Sequence, residues 1–591
     1  MYIGREIVTS MRPRLALAAV GTVALVLGMG ACGKNTGDSG DNNKRDDKQQ
    51  TSAIGSEADS KGPAAEVAGA KKGGTVTVLR QRNFTHLDPQ RQYSVSAMTV
   101  GILYSRYLTT WKEDNKGKLT LVGDLATDTG KDVNKDCKTW EYKLKDGLKW
   151  DDGTPITSKD IAYGIARSFD LDLTGGPSYL QEWLANDKQY DKVFDFKKNK
   201  TSLPPGLTTP DDKTLKFEFK TAQCDLPFAT SLPFTAPVPA AKDKGVDYDN
   251  SPSSSGPYKV TKFVSGTEIV LEKNANWDPN TDPIRHQYPD KILFKLGADA
   301  ASQTNQIKAD SGDAQTSVAF GEIPQELVAP VFGDAAAKDR IVSEATPFTF
   351  YLHINVQRVT DLKVRQALNY AIDREGVLKS IGGERAGVSA TTLLSPQTIG
   401  QKDYNAYNGG KNGDKAKVTE LLGGKTPELV LATSDEQINT QRAVQIQNNL
   451  NAMGFKVTLK SVPDDAFLDK IGEKANPWDI YVSAWAADWP SGASTIPVLW
   501  DGRNIKAQNN NNYSYFNDSS INTEIDRILK LGPAEAAPEW AKLDEKIMKE
   551  FAPEVPLYFD AWNSIVGSKI GGVFVSDVLG FPSLLNVHVK S

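Results

Sequence analysis

The most chemically suggestive stretch of the chain is residues 478–490, W-D-I-Y-V-S-A-W-A-A-D-W-P. An apolar, β-prone run carries Asp488 at its end, bracketed by Trp485 and Trp489. A charge enclosed by aromatic rings at a strand end is either a structural pair or a ligand anchor, because an unpaired carboxylate is costly to bury. Other chemistries fail on residue type. Gly424-Lys425-Thr426 resembles the tail of a phosphate-binding loop, but Thr419 replaces its first glycine. Asp132, Asn134 and Asp136 have the odd spacing of a calcium loop, yet Cys137 replaces the turn glycine and Lys143 the bidentate glutamate. No G-x-S-x-G or H-E-x-x-H occurs, and His353 alternates with apolar neighbours as a strand histidine does. With no nucleophile and base to pair, the chain reads as a non-enzyme without cofactor or metal.

Elements must hold Asp488 in place, and length decides how many bodies supply them. At 591 residues the chain exceeds what one core serves, so two or three domains are expected. A net charge of −5, with both signs mixed throughout, argues against a nucleic-acid partner. Four histidines and three cysteines make a histidine-rich metal centre a poor prospect.

At the N-terminus Arg12 and Arg14 precede an apolar run, residues 15–29, too short and glycine-interrupted for a comfortable span. Small residues then lead directly to Cys32 in M-G-A-C-G, which resembles the lipobox of bacterial lipoproteins. That resemblance implies a signal peptide over 1–31 and a lipid on Cys32, where a plain secretory signal is the alternative. Stable anchoring takes more than one acyl chain. Residues 32–72 are polar and nearly free of large apolar side chains, so they are expected to be a disordered tether.

Beyond it, residues 74–79 read as a strand and 95–108 as a helix. Trp140, Tyr142 and Leu144 alternate with charged residues, Asp152-Gly153 signals a turn, and Thr157 with Asp160 resembles a capped helix start. In 364–374, V-R-Q-A-L-N-Y-A-I-D-R, apolar residues follow helical spacing behind Asp361 as N-cap, leaving Arg365 and Asp373 for structural ion pairs.

These stretches also carry a resemblance to the family-5 extracellular solute-binding proteins of ABC importers, the oligopeptide- and dipeptide-binding type. Residues 143–161 match the family's K-L-R-x-G-x-x-F-x-D-G-x-P-x-T-A-x-D-V, 256–260 its G-P-Y-x-V, 273–277 its R-N-P-x-Y-W, and 364–374 match unaltered. The resemblance implies an α/β, three-lobed periplasmic-binding-protein type II fold. Lobe I comprises 73–111, 253–346 and 556–591, lobe II the insertion 112–252, and lobe III 347–555, with two crossings between I and III as the hinge. It implies a monomeric receptor that captures an extended peptide between closing lobes. Delivery would be to a membrane permease with separate ATPase subunits. The same fold also serves oligosaccharides and nickel complexes, for which Trp485, Trp489 and Trp500 could stack sugars.

By the same resemblance, W-A-A-D-W places Asp488 at the aspartate that fixes a peptide's α-ammonium group. Ala484 to Ala486 would be the strand pairing with ligand, Trp485 would wall a side-chain pocket, and Trp489 and Tyr93 would contact ligand. Residues 509–515, N-N-N-N-Y-S-Y, either line the cleft or form a surface loop. The chain departs from the family at Pro490-Ser491-Gly492 and at Asp464, where a tryptophan is common. With Cys32 lipidated, Cys137 and Cys224 remain as an even pair, either a structural disulfide or two buried thiols.

Overall fold

The computed structural model describes residues 51–114, 118–173, 175–410 and 412–590. The expected signal peptide, Cys32 and the first part of the expected tether lie outside these residues.

One body is built on a five-stranded sheet ordered Ser317–Ala319, Thr75–Arg80, Lys291–Leu296, Glu268–Lys273, Tyr258–Val264. The first three strands are parallel and the last two antiparallel. Its core joins Val76, Val78, Ile292 and Phe294 to C-terminal residues including Trp562 and Phe581. Chain segments far apart in sequence therefore share one interior. The motif at 256–260 enters this sheet where Gly256 approaches the Leu103 and Tyr104 backbone so closely that a Cβ would sit 2.8 Å from the Leu103 oxygen.

A second body surrounds a six-stranded mixed sheet ordered Val388–Ser389, Glu554–Ile565, Ile341–Ile354, Ile480–Ala486, Glu428–Ser434, Lys456–Val462. Helix Leu362–Ala371 buries Val364, Ala367, Leu368 and Ala371 against it, and Asp361 caps it by accepting from Lys363 N at 3.0 Å. The expectation of ion pairs at Arg365 and Asp373 does not hold. Arg365 donates to the carbonyls of Val359, Thr360 and Phe551, while Asp373 caps the next helix through Gly376 N. Backbone groups left without partners where the chain turns take both side chains.

The long strands Ile341–Ile354 and Glu554–Ile565 run antiparallel between the two bodies. Their register breaks between Ala345 and Thr349, beside the crossing drawn in the sequence at 346/347.

A third group of elements comes from the segment after Trp111. Its four-stranded antiparallel sheet is ordered Lys131–Asp132, Thr139–Lys143, Thr214–Glu218, Leu207–Asp211. Trp140 and Tyr142 point to the core and Glu141 lies between them half-buried, as period-2 alternation requires. Helix Ser158–Arg167 starts with a capping box: Thr157 N donates to Asp160 Oδ2 at 2.7 Å. Cys137 and Cys224 form a disulfide with Cα atoms 4.8 Å apart and 87 residues of separation. Closing a loop of that size removes about 4–5 kcal/mol of chain entropy from the unfolded state in the loop-closure model.

Residues 51–72 differ from the expected tether. Thr51–Ile54 is a strand parallel to Lys118–Gly123. Ser60 is buried and accepts from Gly123 N, and Tyr288 bonds both Val67 N and Glu66. Low apolar content predicts no core of its own, but a segment docked by backbone and hydroxyl hydrogen bonds needs none.

Candidate functional site

Strand Ile480–Ala486 pairs along its whole length with Ile341–Ile354, setting Ala484 opposite Phe350, Trp485 opposite Thr349 and Ala486 opposite Phe348. On its other side, pairing with Glu428–Ser434 is confined to Ile480 and Tyr481. The C-terminal half of the strand thus runs past the end of its neighbour's ladder, with Ala484 and Ala486 half-buried.

The pleat turns Trp485 into the interior. It is 8% exposed, packs with Tyr351, Trp500 and Trp540, and donates its indole N–H to Ser494 O at 3.3 Å. Trp500 is also in that core, donating to Glu554. The expectation that Trp485 walls a ligand pocket is therefore replaced by a core role. Trp489 is the ring that lines the cavity.

Asp488 follows the strand and is half-buried. Its Oδ2 accepts from the Tyr93 hydroxyl at 2.7 Å and from the Tyr179 hydroxyl. Tyr93 stands just before helix Val95–Tyr104, which Ser94 caps, and Tyr179 opens helix Tyr179–Ala185 in the inserted segment. Three distant parts of the chain therefore meet at one carboxylate. Burial, then the adjacent Asp488 charge, pushes the Tyr179 hydroxyl well above its usual pKa, so it stays a donor.

Two cavities flank this point. A large one of about 1020 Å³ is lined by Tyr93, Tyr179, Trp183 and Trp489, and by polar residues of both the inserted segment and the 468–540 region. Asn509, Asn510, Asn511 and Tyr513 are on its wall, so the asparagine-rich loop does border the cleft. A small one of about 60 Å³, with Met98, Ile102, Leu232 and Val578 around it, is where Asp488 itself is exposed. Tyr93 and Tyr179 line the large cavity and both donate to the carboxylate.

The residues that sequence reading missed are Tyr179, Trp183 and Asp225. Tyr179 and Trp489 rings lie 5.0 Å apart and Trp183 and Trp489 rings 6.5 Å apart. The Trp489 indole donates to Asp225 Oδ2 at 2.8 Å. The aromatic pair at 179 and 183, one helical turn apart, was a legible signal; Asp225 carried none beyond its place after Cys224.

Such an arrangement can hold an extended solute with a cationic group. It offers carboxylates, aromatic faces and a strand edge. Among the described residues no helix is long and apolar enough to cross a membrane.

Comparison with known proteins agrees with this geometry. Residues 120–507 match the bacterial extracellular solute-binding proteins, family 5, middle region. The periplasmic oligopeptide-binding protein OppA of Salmonella typhimurium is 26% identical over 482 residues, covering 78% of this chain and 82% of the relative. The dipeptide-binding protein DppE of Bacillus subtilis is 24% identical over 468 residues, covering 75% and 79%. Among solved structures, the clavulanic acid biosynthesis oligopeptide binding protein 2 superposes with a TM-score of 0.80 at 26% identity, over 88% of this chain and 96% of that one. Binding proteins of transporters, not enzymes, make up these relatives, and the multi-lobed α/β type II fold is theirs. The chain belongs to the family-5 bacterial extracellular solute-binding proteins of ABC importers.

Proposed function

We propose that this protein is the peptide receptor of an ABC importer, held at the outer face of the cell membrane by a lipid on Cys32. It binds an extended peptide between lobes 73–111/253–346/556–591 and 347–555, with 112–252 as an inserted lobe, and hands it to a permease.

The observation that carries this reading is the placement of Asp488. Its carboxylate is held by hydroxyls from two other parts of the chain, beside a cavity of about 1020 Å³. An ammonium about 4 Å from a carboxylate is worth about 1 kcal/mol in water but about 4 at an effective dielectric of 20. Asp488 is a useful anchor for a peptide's α-ammonium only when lobes close over it. Main-chain hydrogen bonds at Ala484 and Ala486 would add sequence-independent affinity by strand addition. The register break between Ala345 and Thr349 supports a hinge in the paired long strands. A sugar-binding reading loses two of its three candidate stacking rings, since Trp485 and Trp500 are in the core.

Native mass spectrometry of the purified protein tests the ligand class: co-purified peptides support it, and a sugar or metal complex overturns it. The anchor is tested by calorimetry on Asp488→Asn, which is expected to weaken peptide binding about tenfold or more (about 1.4 kcal/mol per tenfold). Unchanged affinity would sink the assignment.

A further inference from the structure

The wall of the large cavity is uneven in charge. Lys188, Lys506 and Lys530 reach it from exposed positions. Of its carboxylates, Asp501 and Asp526 are both taken by Arg503 at 2.7 Å each, Asp170 lies 3.5 Å from Lys197, and Glu182 accepts from Ser178 and feels the charges of Lys188 and Lys506. Asp225 is different. Among the described residues it makes no ion pair, its Oδ2 accepts from the Trp489 indole at 2.8 Å, and burial raises its carboxyl above the usual range. A half-buried carboxylate on a cavity wall, with no ion pair among the described residues, is poised for a charge that arrives with the ligand.

The surroundings narrow the ligand's chemistry. Trp183 and Trp489 line the cavity beside Asp225, and such rings attract cations. Gln181, 4% exposed and among the residues lining the cavity, has a buried Oε1 with no hydrogen-bond partner, a second acceptor without a donor. Acceptors and aromatic faces together suit a planar group with several N–H donors and no acceptor, which describes a guanidinium better than an ammonium. Asp225 is also held in place. It follows Cys224, which the disulfide ties to Cys137, and the Trp489 indole fixes its Oδ2. Since Asp488 and Trp489 are consecutive, the two carboxylates are separated by one residue of backbone and one indole ring.

We propose that Asp225 selects peptides with an arginine side chain near the amino terminus, receiving the guanidinium while Asp488 receives the α-ammonium. This rests on the peptide reading above and goes further by assigning the ligand's side-chain class.

The test is calorimetry on the purified protein with three tripeptides: Ala-Ala-Ala, Ala-Arg-Ala and Ala-citrulline-Ala. Citrulline keeps the size of arginine and removes the charge. The arginine peptide is expected to bind about tenfold or more tighter than the citrulline peptide. In Asp225→Asn that ratio should fall toward one, and in Asp225→Glu it should be largely retained. Equal affinity for arginine and citrulline peptides in the wild type overturns the proposal, and this comparison decides even where the Asn variant does not fold. A ratio that persists in Asp225→Asn overturns it as well. Binding of none of the three peptides would bring down the peptide reading itself, an outcome distinct from peptide binding without charge preference.

Discussion

Two sets of carboxylates in this molecule, one fully buried and one half-buried, are held in different ways. Asp124 and Asp282 are fully buried with Arg106 and Arg285, also buried. Asp124 accepts from Arg106 Nε at 2.7 Å and Arg285 Nη2 at 2.8 Å, and Asp282 lies within 3.2 Å of Arg285 Nη1. Burial pushes the Asp282 carboxyl up, but the two guanidiniums outweigh it and hold it well below the usual range. Asp488 and Asp225, on cavity walls, meet neutral donors: tyrosine hydroxyls at one, an indole at the other. Buried charge that is matched by charge holds the fold. A half-buried carboxylate oriented by hydroxyl and indole donors keeps electrostatic attraction that a ligand can use.

Removing one member of the matched set should have the largest effect. Asp124→Asn leaves two guanidiniums buried against one carboxylate and is expected to cost about 3–5 kcal/mol of stability. Denaturant unfolding reads it, and an unmoved midpoint would break the contrast. Asp488→Asn should move that midpoint far less while removing about 1.4 kcal/mol or more of peptide binding. Next come Tyr93→Phe and Tyr179→Phe. Each deletes one hydroxyl that orients Asp488 and should lower peptide affinity by about 0.5–1.5 kcal/mol in calorimetry. A rise in affinity would mean that the hydroxyls compete with ligand for the carboxylate.

The smallest effect is a slope. Lys145 borders the matched set, donating to the carbonyls of Gly123 and Thr281 at 2.9 and 3.0 Å. Burial first, then the Arg106 charge, lowers its ammonium to about 7, against the opposing pull of Asp124 and Asp282. The folded state therefore releases this proton near pH 7 and the unfolded chain only near its ordinary value. Between those points the unfolded state binds more protons, so stability rises with pH. Lys145→Met should flatten unfolding free energy against pH across 7–10 relative to wild type.

Local rules were legible in the sequence wherever a few neighbouring residues decide the outcome. Asp361 as a cap, the Thr157–Asp160 box and the alternation at Trp140 and Tyr142 all depend on spacing within one or two turns of chain. The site was legible in part. Trp489 and Tyr93 line the large cavity and Asp488 the small one beside it, but Tyr179 and Asp225 come from the insertion, more than 250 residues from their partners, and no local pattern links them. Trp485 was misplaced because the side-chain alternation in Ile480–Ala486 could be counted from sequence while the buried face could not be identified. Residues 51–72 were read as a tether because composition measures core-forming capacity and is blind to backbone docking on another segment's edge.

The strand Glu554–Ile565 has a consequence for how the molecule assembles. Every one of its residues is buried. Val555, Leu557 and Tyr558 belong to the core around helix Leu362–Ala371, and Trp562 belongs to the core around Thr75–Arg80. During synthesis this strand is made after Thr75–Arg80 and Leu362–Ala371, segments of the two interiors that it joins, so neither interior closes before it is available. The pairing of residues this far apart raises contact order and slows the final step. A ribosome-bound chain ending before residue 554 should therefore be digested by protease across both bodies, and resistance should arrive in both together once this strand emerges.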